Sequence, residues 1–256
     1  MDIKATVNYH VNSTYRQAFH FDVDGVIGNL VSPKLENREV VVKDLRQSLS
    51  TTFDEDGILF EESTSSIDDF SGNAWQQVYE QEISAFLKGK INAQEVLVFD
   101  HTVRIDDEIA IRKPARNVHN DYTRDSANQR LVDLIGADKA ATYQEGNFAF
   151  VNLWRPIETI KTSPLGFIRP RSMNAKDWID IELIYPDRKG QILGVIENVN
   201  HEWFYFSNMT PQEAIIFNIY DNNGRPHLAH SALDILGEKD AGVTRKSIET
   251  RTLVRY

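Results

Sequence analysis

No cysteine occurs in this 256-residue chain. That absence removes disulfides, thiolate metal sites, iron–sulfur ligation and cysteine nucleophiles together. Any protein-bound metal must be held by His, Asp, Glu or backbone oxygen, a donor set that suits Zn, Mn, Ni, non-haem Fe, Mg or Ca. An excess of basic residues is missing too: Lys and Arg number 28 against 38 Asp and Glu, a formal charge of −10. A nucleic-acid partner would favour clustered Lys and Arg, so none is expected. No polybasic segment points to a membrane surface. No apolar run approaches the roughly 20 residues that cross a bilayer. The start, MDIKATVNYHV, has neither the basic end nor the apolar stretch of a secretory signal, so a cytoplasmic protein is the expectation. Internal repeats, a P-loop and a GxGxxG turn are also absent. Gly25-Val-Ile-Gly28 is too short to cradle a phosphate and reads as an ordinary turn.

What is present is a chain of ordinary globular composition, long enough for one large core. REVVVKDLR, EVLVFDHTVR, NFAFVNLWRP, WIDIELIYP, GQILGVIENV, EWFYFSN, AIIFNIYD and KSIETRTLVRY are short β-branched or aromatic runs. Turn residues separate them, so they predict strands. Trp75, Val78, Tyr79, Ile83, Phe86 and Leu87 recur at helical spacing and predict a helix over about 71–90. Leu131, Leu134 and Ile135 predict a shorter one over about 125–137. Thr210-Pro-Gln-Glu213 reads as a third helix start, with Thr210 capping, Pro211 in the first turn and Glu213 completing a capping box. Strands follow strands instead of alternating with helices. The expected fold is mainly β with supporting α-helices. It is a double-stranded β-helix, that is, a jelly-roll or cupin-like barrel, forming a single domain over residues 1–256.

Among seven histidines, one stands two residues from a carboxylate in PARNVHNDYT. On a strand, residues two apart point to the same side, so His119 and Asp121 can offer a nitrogen and an oxygen to one ion. Two histidines and one carboxylate on one face of a metal, with the other face open, form the donor set of non-haem Fe(II) oxygenases. The competing reading of the pair is a polar turn whose Asp caps the following helix. A third ligand must come from downstream, and GRPHLAHSALDI supplies His227 and His230. The last strand carries Arg251 near its middle, where a guanidinium could pair bidentately with the distal carboxylate of 2-oxoglutarate. Arg245, Lys246 and Arg255 compete for that role by position. A surface ion pair to a neighbouring strand is the structural alternative.

VFDHTVR, NVHNDYT, NLWRPI, HEWFYFSNMTPQEAIIFNIYDN, AHSAL and RKSIETRTLVRY together resemble a known family. From about REVVVKDLR to the C-terminus the chain is similar to the hydroxylase/desaturase family, whose members include a gibberellin desaturase, fungal aspergillic-type enzymes and a protein associated with cephamycin methoxylation. These are treated as Fe(II)- and 2-oxoglutarate-dependent oxygenases, with O2 as second co-substrate. The resemblance implies His119, Asp121 and His230 as iron ligands, since HSAL fits the context of the late ligand and favours His230 over His227. Leu233 departs from the family there, which has an aromatic residue. SIETR implies Arg251 as the 2-oxoglutarate anchor, and Arg255 departs from a usual aromatic. Arg155 in NLWRPI and Arg104 in DHTVR also match family patterns. The resemblance suggests that Arg155 binds a carboxylate and that Arg104 supports a ligand loop or the substrate.

The implied activity is removal of a hydrogen from an unactivated C–H bond of a small, carboxylate-bearing metabolite. The outcome is hydroxylation, desaturation or oxidative cyclisation, most often in secondary metabolism. No catalytic side chain beyond the ligands is expected, because the iron carries the hard chemistry. Two other readings stay open: a Zn or Mn cupin-like hydrolase or isomerase, and a non-catalytic jelly-roll protein that binds a small molecule.

Overall fold

The computed structural model describes residues 2–47, 51–237 and 244–256. Strands dominate it. The first are β1 (Ile3–His10), β2 (Gln17–Phe21), β3 (Leu30–Val31), β4 (Leu35–Asp44) and β5 (Ile58–Glu62). Next come β6 (Glu95–Ile105), β7 (His119–Asn120), β8 (Phe148–Pro156) and β9 (Leu165–Ile168). After them run β10 (Trp178–Ile184), β11 (Lys189–Val195), β12 (Trp203–Tyr205) and β13 (Glu213–Asp221). The last are β14 (His230–Ala232), β15 (Asp234–Ile235) and β16 (Lys246–Arg255). The helices are α1 (Phe53–Asp56), α2 (Gln76–Ile91), α3 (Arg124–Ile135) and α4 (Ala137–Glu145). Among the described residues, no helix is long and apolar enough to cross a membrane.

The strands form two sheets. Eleven run in the order β15-β1-β4-β12-β9-β14-β7-β11-β10-β2-β3, and five in the order β5-β13-β8-β16-β6. The main core lies between them. Phe167 and Phe204 from the larger sheet meet Phe150, Phe217 and Leu253 from the smaller, and Leu131 and Tyr143 of α3 and α4 pack onto the same cluster. The alternation of β8 explains its central place. Phe148, Phe150 and Trp154 face this core, while Ala149, Val151 and Leu153 face a second cluster. With both faces covered, every residue of β8 is buried. α2 covers the second cluster with Tyr79, Ile83, Leu87 and Ile91, each four residues after the last, which is one stripe of a helix. The helix stops where Asn92 turns left-handed at φ 57°.

All eight strand runs expected from the sequence are strands, and the helices expected at 71–90 and 125–137 are α2 and α3. The third expected helix is not formed. Thr210 and Glu213 make half of the capping box: the Thr210 N–H donates to Glu213 Oε2 at 2.8 Å, but the Glu213 N–H donates to the Thr210 main-chain carbonyl at 3.0 Å and not to its hydroxyl. The chain then runs straight into β13, where Ile215, Ile216, Phe217 and Ile219 are wholly buried. β-branched and aromatic residues lying between β5 and β8 favour extended backbone, and that pairing overrides the local cap.

Candidate metal centre

β7 is two residues long and is held in place by its neighbours. Its His119 pairs with His230 of β14 on one side and with Gly194 of β11 on the other. The pairing sets the two imidazoles side by side, ring centres 4.4 Å apart and planes inclined at 49°. Asp121 completes the group: its Oδ1 lies 3.4 Å from His119 Nε2 and 3.7 Å from His230 Nε2. Three potential ligand atoms thus fall within 4.8 Å of one another.

Local hydrogen bonds aim each donor. His119 Nδ1 lies 2.8 Å from the Asn117 carbonyl, and His230 Nδ1 lies 3.1 Å from the Leu228 carbonyl. A carbonyl can only accept, so both Nδ1 atoms carry the proton and both Nε2 lone pairs face the common point, as in many metal-bound histidines. Burial and the nearby His119 push the His230 imidazole down to about 4, which keeps it neutral at physiological pH. Burial alone would raise the Asp121 carboxyl. The Arg251 guanidinium and the two imidazoles outweigh it and hold the group well below the ordinary carboxylate range. Asp121 Oδ2 accepts from Asn152 Nδ2 at 2.9 Å and from Arg251 Nε at 3.2 Å, leaving Oδ1 for the histidines. Asp121 does not cap α3. Thr123 does, in a reciprocal box with Ser126, so the carboxylate is free for the site.

The smaller sheet supplies the opposite wall. Arg251 Nη1 donates to Asp100 Oδ2 at 2.7 Å and to Thr102 Oγ1 at 3.0 Å, and its Nη2 pairs with Glu249. The ion pair to the neighbouring strand and the contact with the ligand carboxylate therefore coexist. Burial opposes the charge on Arg251, but Glu249, Asp121 and Asp100 outweigh it and keep the guanidinium protonated. Arg104 faces the same space, close enough to feel Glu249, Arg251 and Asp121. Its Nη1 donates to the Lys113 carbonyl at 2.9 Å.

Other sequence candidates lie elsewhere. Arg155 is 3% exposed and sits on the opposite face of β8 from Asn152. There it donates to the Tyr79 hydroxyl, to the Ser63 carbonyl and hydroxyl and to the Pro211 carbonyl. Strand alternation gives the reason: Asn152 and Trp154 face the triad side, so residue 155 cannot. Arg245 lies over the Trp154 ring, and Arg255 pairs with Glu95. His227 packs beside Trp178, and His101 is held by Thr250 and Glu80.

Three site residues went unnoticed in the sequence: Asn152, Glu249 and Asn120. Asn152 had a signal, since a lone amide interrupts the apolar run FAFVNLW. Glu249 stands two residues before Arg251 and so shares its face. Asn120, fully buried between two ligands, donates to the Tyr122 and Ile219 carbonyls at 3.0 and 2.9 Å and anchors the turn.

Two nitrogens and one oxygen gathered on one side of a point suit a divalent metal with open positions. A family model described as an oxidoreductase/YMDC permease-like domain matches residues 8–255. The hydroxylase/desaturase efuI of Hormonema carpetanum is 30% identical over 261 residues, covering 90% of this chain and 87% of that one. The alpha-ketoglutarate-dependent dioxygenase phiK of a fungal species is 27% identical over 240 residues, 87% of this chain and 85% of that one. Among solved structures, the iron and alpha-ketoglutarate-dependent endoperoxidase NvfI shares the fold, with a TM-score of 0.88 and 22% identity over 99% of this chain and 98% of that one. The family model and these relatives define an oxidoreductase. More closely, the chain belongs to the hydroxylase/desaturase family of alpha-ketoglutarate-dependent dioxygenases, as its motifs suggested.

Proposed function

We propose that this protein is a non-haem Fe(II)- and 2-oxoglutarate-dependent oxygenase that attacks an unactivated C–H bond of a small metabolite in secondary metabolism. The observation that carries the reading is the convergence of His119 Nε2, His230 Nε2 and Asp121 Oδ1, with no fourth ligand joining the group among the described residues. His119, Asp121 and His230 would hold the iron, and the bound iron supplies O2 activation. Arg251 anchors the distal carboxylate of 2-oxoglutarate, with Thr102 beside it. Asp100 is half-exposed and is the partner that a co-substrate carboxylate would replace. Arg104 offers a second cation to the substrate. The strand orders β6-β16-β8-β13 and β12-β9-β14-β7 support a double-stranded β-helix whose two four-stranded halves close around the triad. The whole chain then acts as one domain, with α2 and α3 as its helical support.

Fe(II) and 2-oxoglutarate added under anaerobic conditions should produce a weak visible absorbance, which requires keto acid and metal to meet. His119→Ala should abolish it. Arg251→Ala should weaken 2-oxoglutarate at least tenfold, with a smaller loss of metal affinity because Asn152 still holds Asp121. A zinc hydrolase or a binding module would give no such absorbance in well-folded protein. Normal 2-oxoglutarate binding by Arg251→Ala would move the anchor to another arginine.

A further inference from the structure

The larger sheet does not end at the triad. Beyond β7 it continues through β11, β10 and β2 to β3. Gly194 lies opposite His119 and Ile179 lies opposite Gly194. Ile181 pairs with Ile192, and Leu183 with Phe19. Paired residues project to one side of a sheet. Ile179, Ile181, Leu183, Ile192, Phe19 and Phe21 therefore extend the face on which His119 stands. The other face of the same strands is mixed: Asp180, Glu182, Lys189 and Gln191 stand there among Trp178, Ile184, Leu193 and Val195. The apolar set packs on itself as a separate cluster outside the main core. Phe19, Ile181 and Ile192 are buried and form its floor, while Phe21, Ile179 and Leu183 are half-buried. Leu30, paired with Phe21 at the outer edge, is 51% exposed.

The shelf meets the triad at His10. Its ring lies 5.9 Å from that of Phe19. A Cβ at Gly194 would fall 2.8 Å from its Cδ2, so the glycine is what lets the ring lie there. His10 is 2% exposed, and its Nδ1 is buried without a partner. A buried polar atom without a partner costs free energy unless a ligand supplies one. On the facing sheet, Arg104 has no salt bridge to a carboxylate among the described residues.

We propose that this shelf receives the apolar skeleton of the substrate and that Arg104 pairs with its anionic group. The substrate class is then an amphiphile: a carboxylate or similar anion on an apolar ring system or chain. Three strand spacings separate β7 from β2, so the skeleton can extend about 14 Å from the triad. His10 Nδ1 is placed to meet a hydroxyl or carbonyl along it. The inference rests on the oxygenase reading and specifies the substrate of that site.

Two fluorescent probes test it in the full chain. Anilinonaphthalene sulfonate carries an anion on an apolar ring system, and N-phenylnaphthylamine has the same rings without the charge. Ile179→Glu should weaken both at least tenfold. Arg104→Gln should weaken the sulfonate at least tenfold and the uncharged probe less than twofold. Leu30→Glu alters an exposed residue, so it leaves the core intact and should shift both probes in the same direction as Ile179→Glu. If Ile179→Glu fails to fold, Leu30→Glu decides. Parental binding of both probes by the folded shelf variants overturns the shelf. Equal losses of both probes in Arg104→Gln overturn the anion pairing. The anaerobic Fe(II)–2-oxoglutarate absorbance separates the two levels. Its absence from the parent protein sinks the oxygenase reading and this inference with it. Its retention in variants with unaltered probe binding sinks this inference alone.

Discussion

Asp121 has two carboxylate oxygens, and the fold uses them differently. Oδ1 faces the imidazoles, while Oδ2 is held by Asn152 and Arg251. Groups that orient a ligand commonly govern metal affinity almost as strongly as the ligand itself. Asn152→Ala should therefore lower divalent-metal affinity by about 10- to 100-fold while leaving the fold intact, as measured by calorimetric titration with Co(II) or Mn(II). Unchanged affinity would mean that Arg251 alone suffices to orient the carboxylate. H-x-D was legible because its two side chains share a side by simple alternation. Asn152 was not, because its partner lies 31 positions earlier in the chain and meets it only when the two sheets face each other.

At the scale of elements, the late ligand depends on how the segment after β13 is laid down. Gly57 adopts φ +71°, and a Cβ there would stand 2.2 Å from the Pro226 carbonyl oxygen and 2.7 Å from Leu228 Cδ2. Asn218 secures the same segment, its Nδ2 donating to the Arg225 and Pro226 carbonyls at 3.2 and 2.8 Å. His230 stands two residues after Leu228, whose carbonyl orients it. Gly57→Ala should destabilise the protein by about 2 kcal/mol, from a left-handed backbone and a direct clash. It should also weaken metal binding. Urea unfolding checks the first and metal titration the second; parental stability would show that the segment relaxes freely. The same scale explains the missing third helix. Thr210–Glu213 carries a sound capping pattern, yet it leads into strand β13, because pairing with β5 and β8 is a long-range term that no short window contains.

For the whole molecule, burial of imidazoles predicts acid sensitivity. His10 and His230 are both pushed down to about 4, chiefly by burial, whereas an unfolded histidine titrates near about 6.5. The unfolded chain therefore binds more protons between those values. Stability falls as pH drops through about 6.5 and the loss is complete below about 4. Asp106, Asp121 and Asp177 are held below the ordinary carboxylate range, despite burial that opposes it, by charged or hydrogen-bonding partners. Their protonation adds a loss of the same sign at lower pH. The metal-free protein should be about 1 kcal/mol less stable per buried imidazole at pH 5.5 than at pH 7.5, measured by chemical denaturation. Metal at the triad should protect His230 and not His10. A flat profile between those pH values would mean that these rings take up protons in the folded protein over the same range as in the unfolded chain.

The mainly β class, the eight expected strand runs, helices α2 and α3 and the His119–Asp121 pair were legible in the chain itself, and the family resemblance chose His230 over His227. Each rests on a local period or on a short motif. The two- to four-residue strands β7, β9 and β14 were not, because they have too few residues to display a period and are held by their neighbours. Strand patterns alone could not say which arginine meets the triad; the family resemblance pointed to Arg251, which the structure sets beside Asp121. Arg104, Arg155 and Arg251 sit in equally plausible strands, and one step of strand parity sends Arg155 to the far side of β8. Parity relative to a site depends on sheet register, which is set by contacts between distant segments. That is why the clustered residues could be named from the chain while the walls around them needed the tertiary structure.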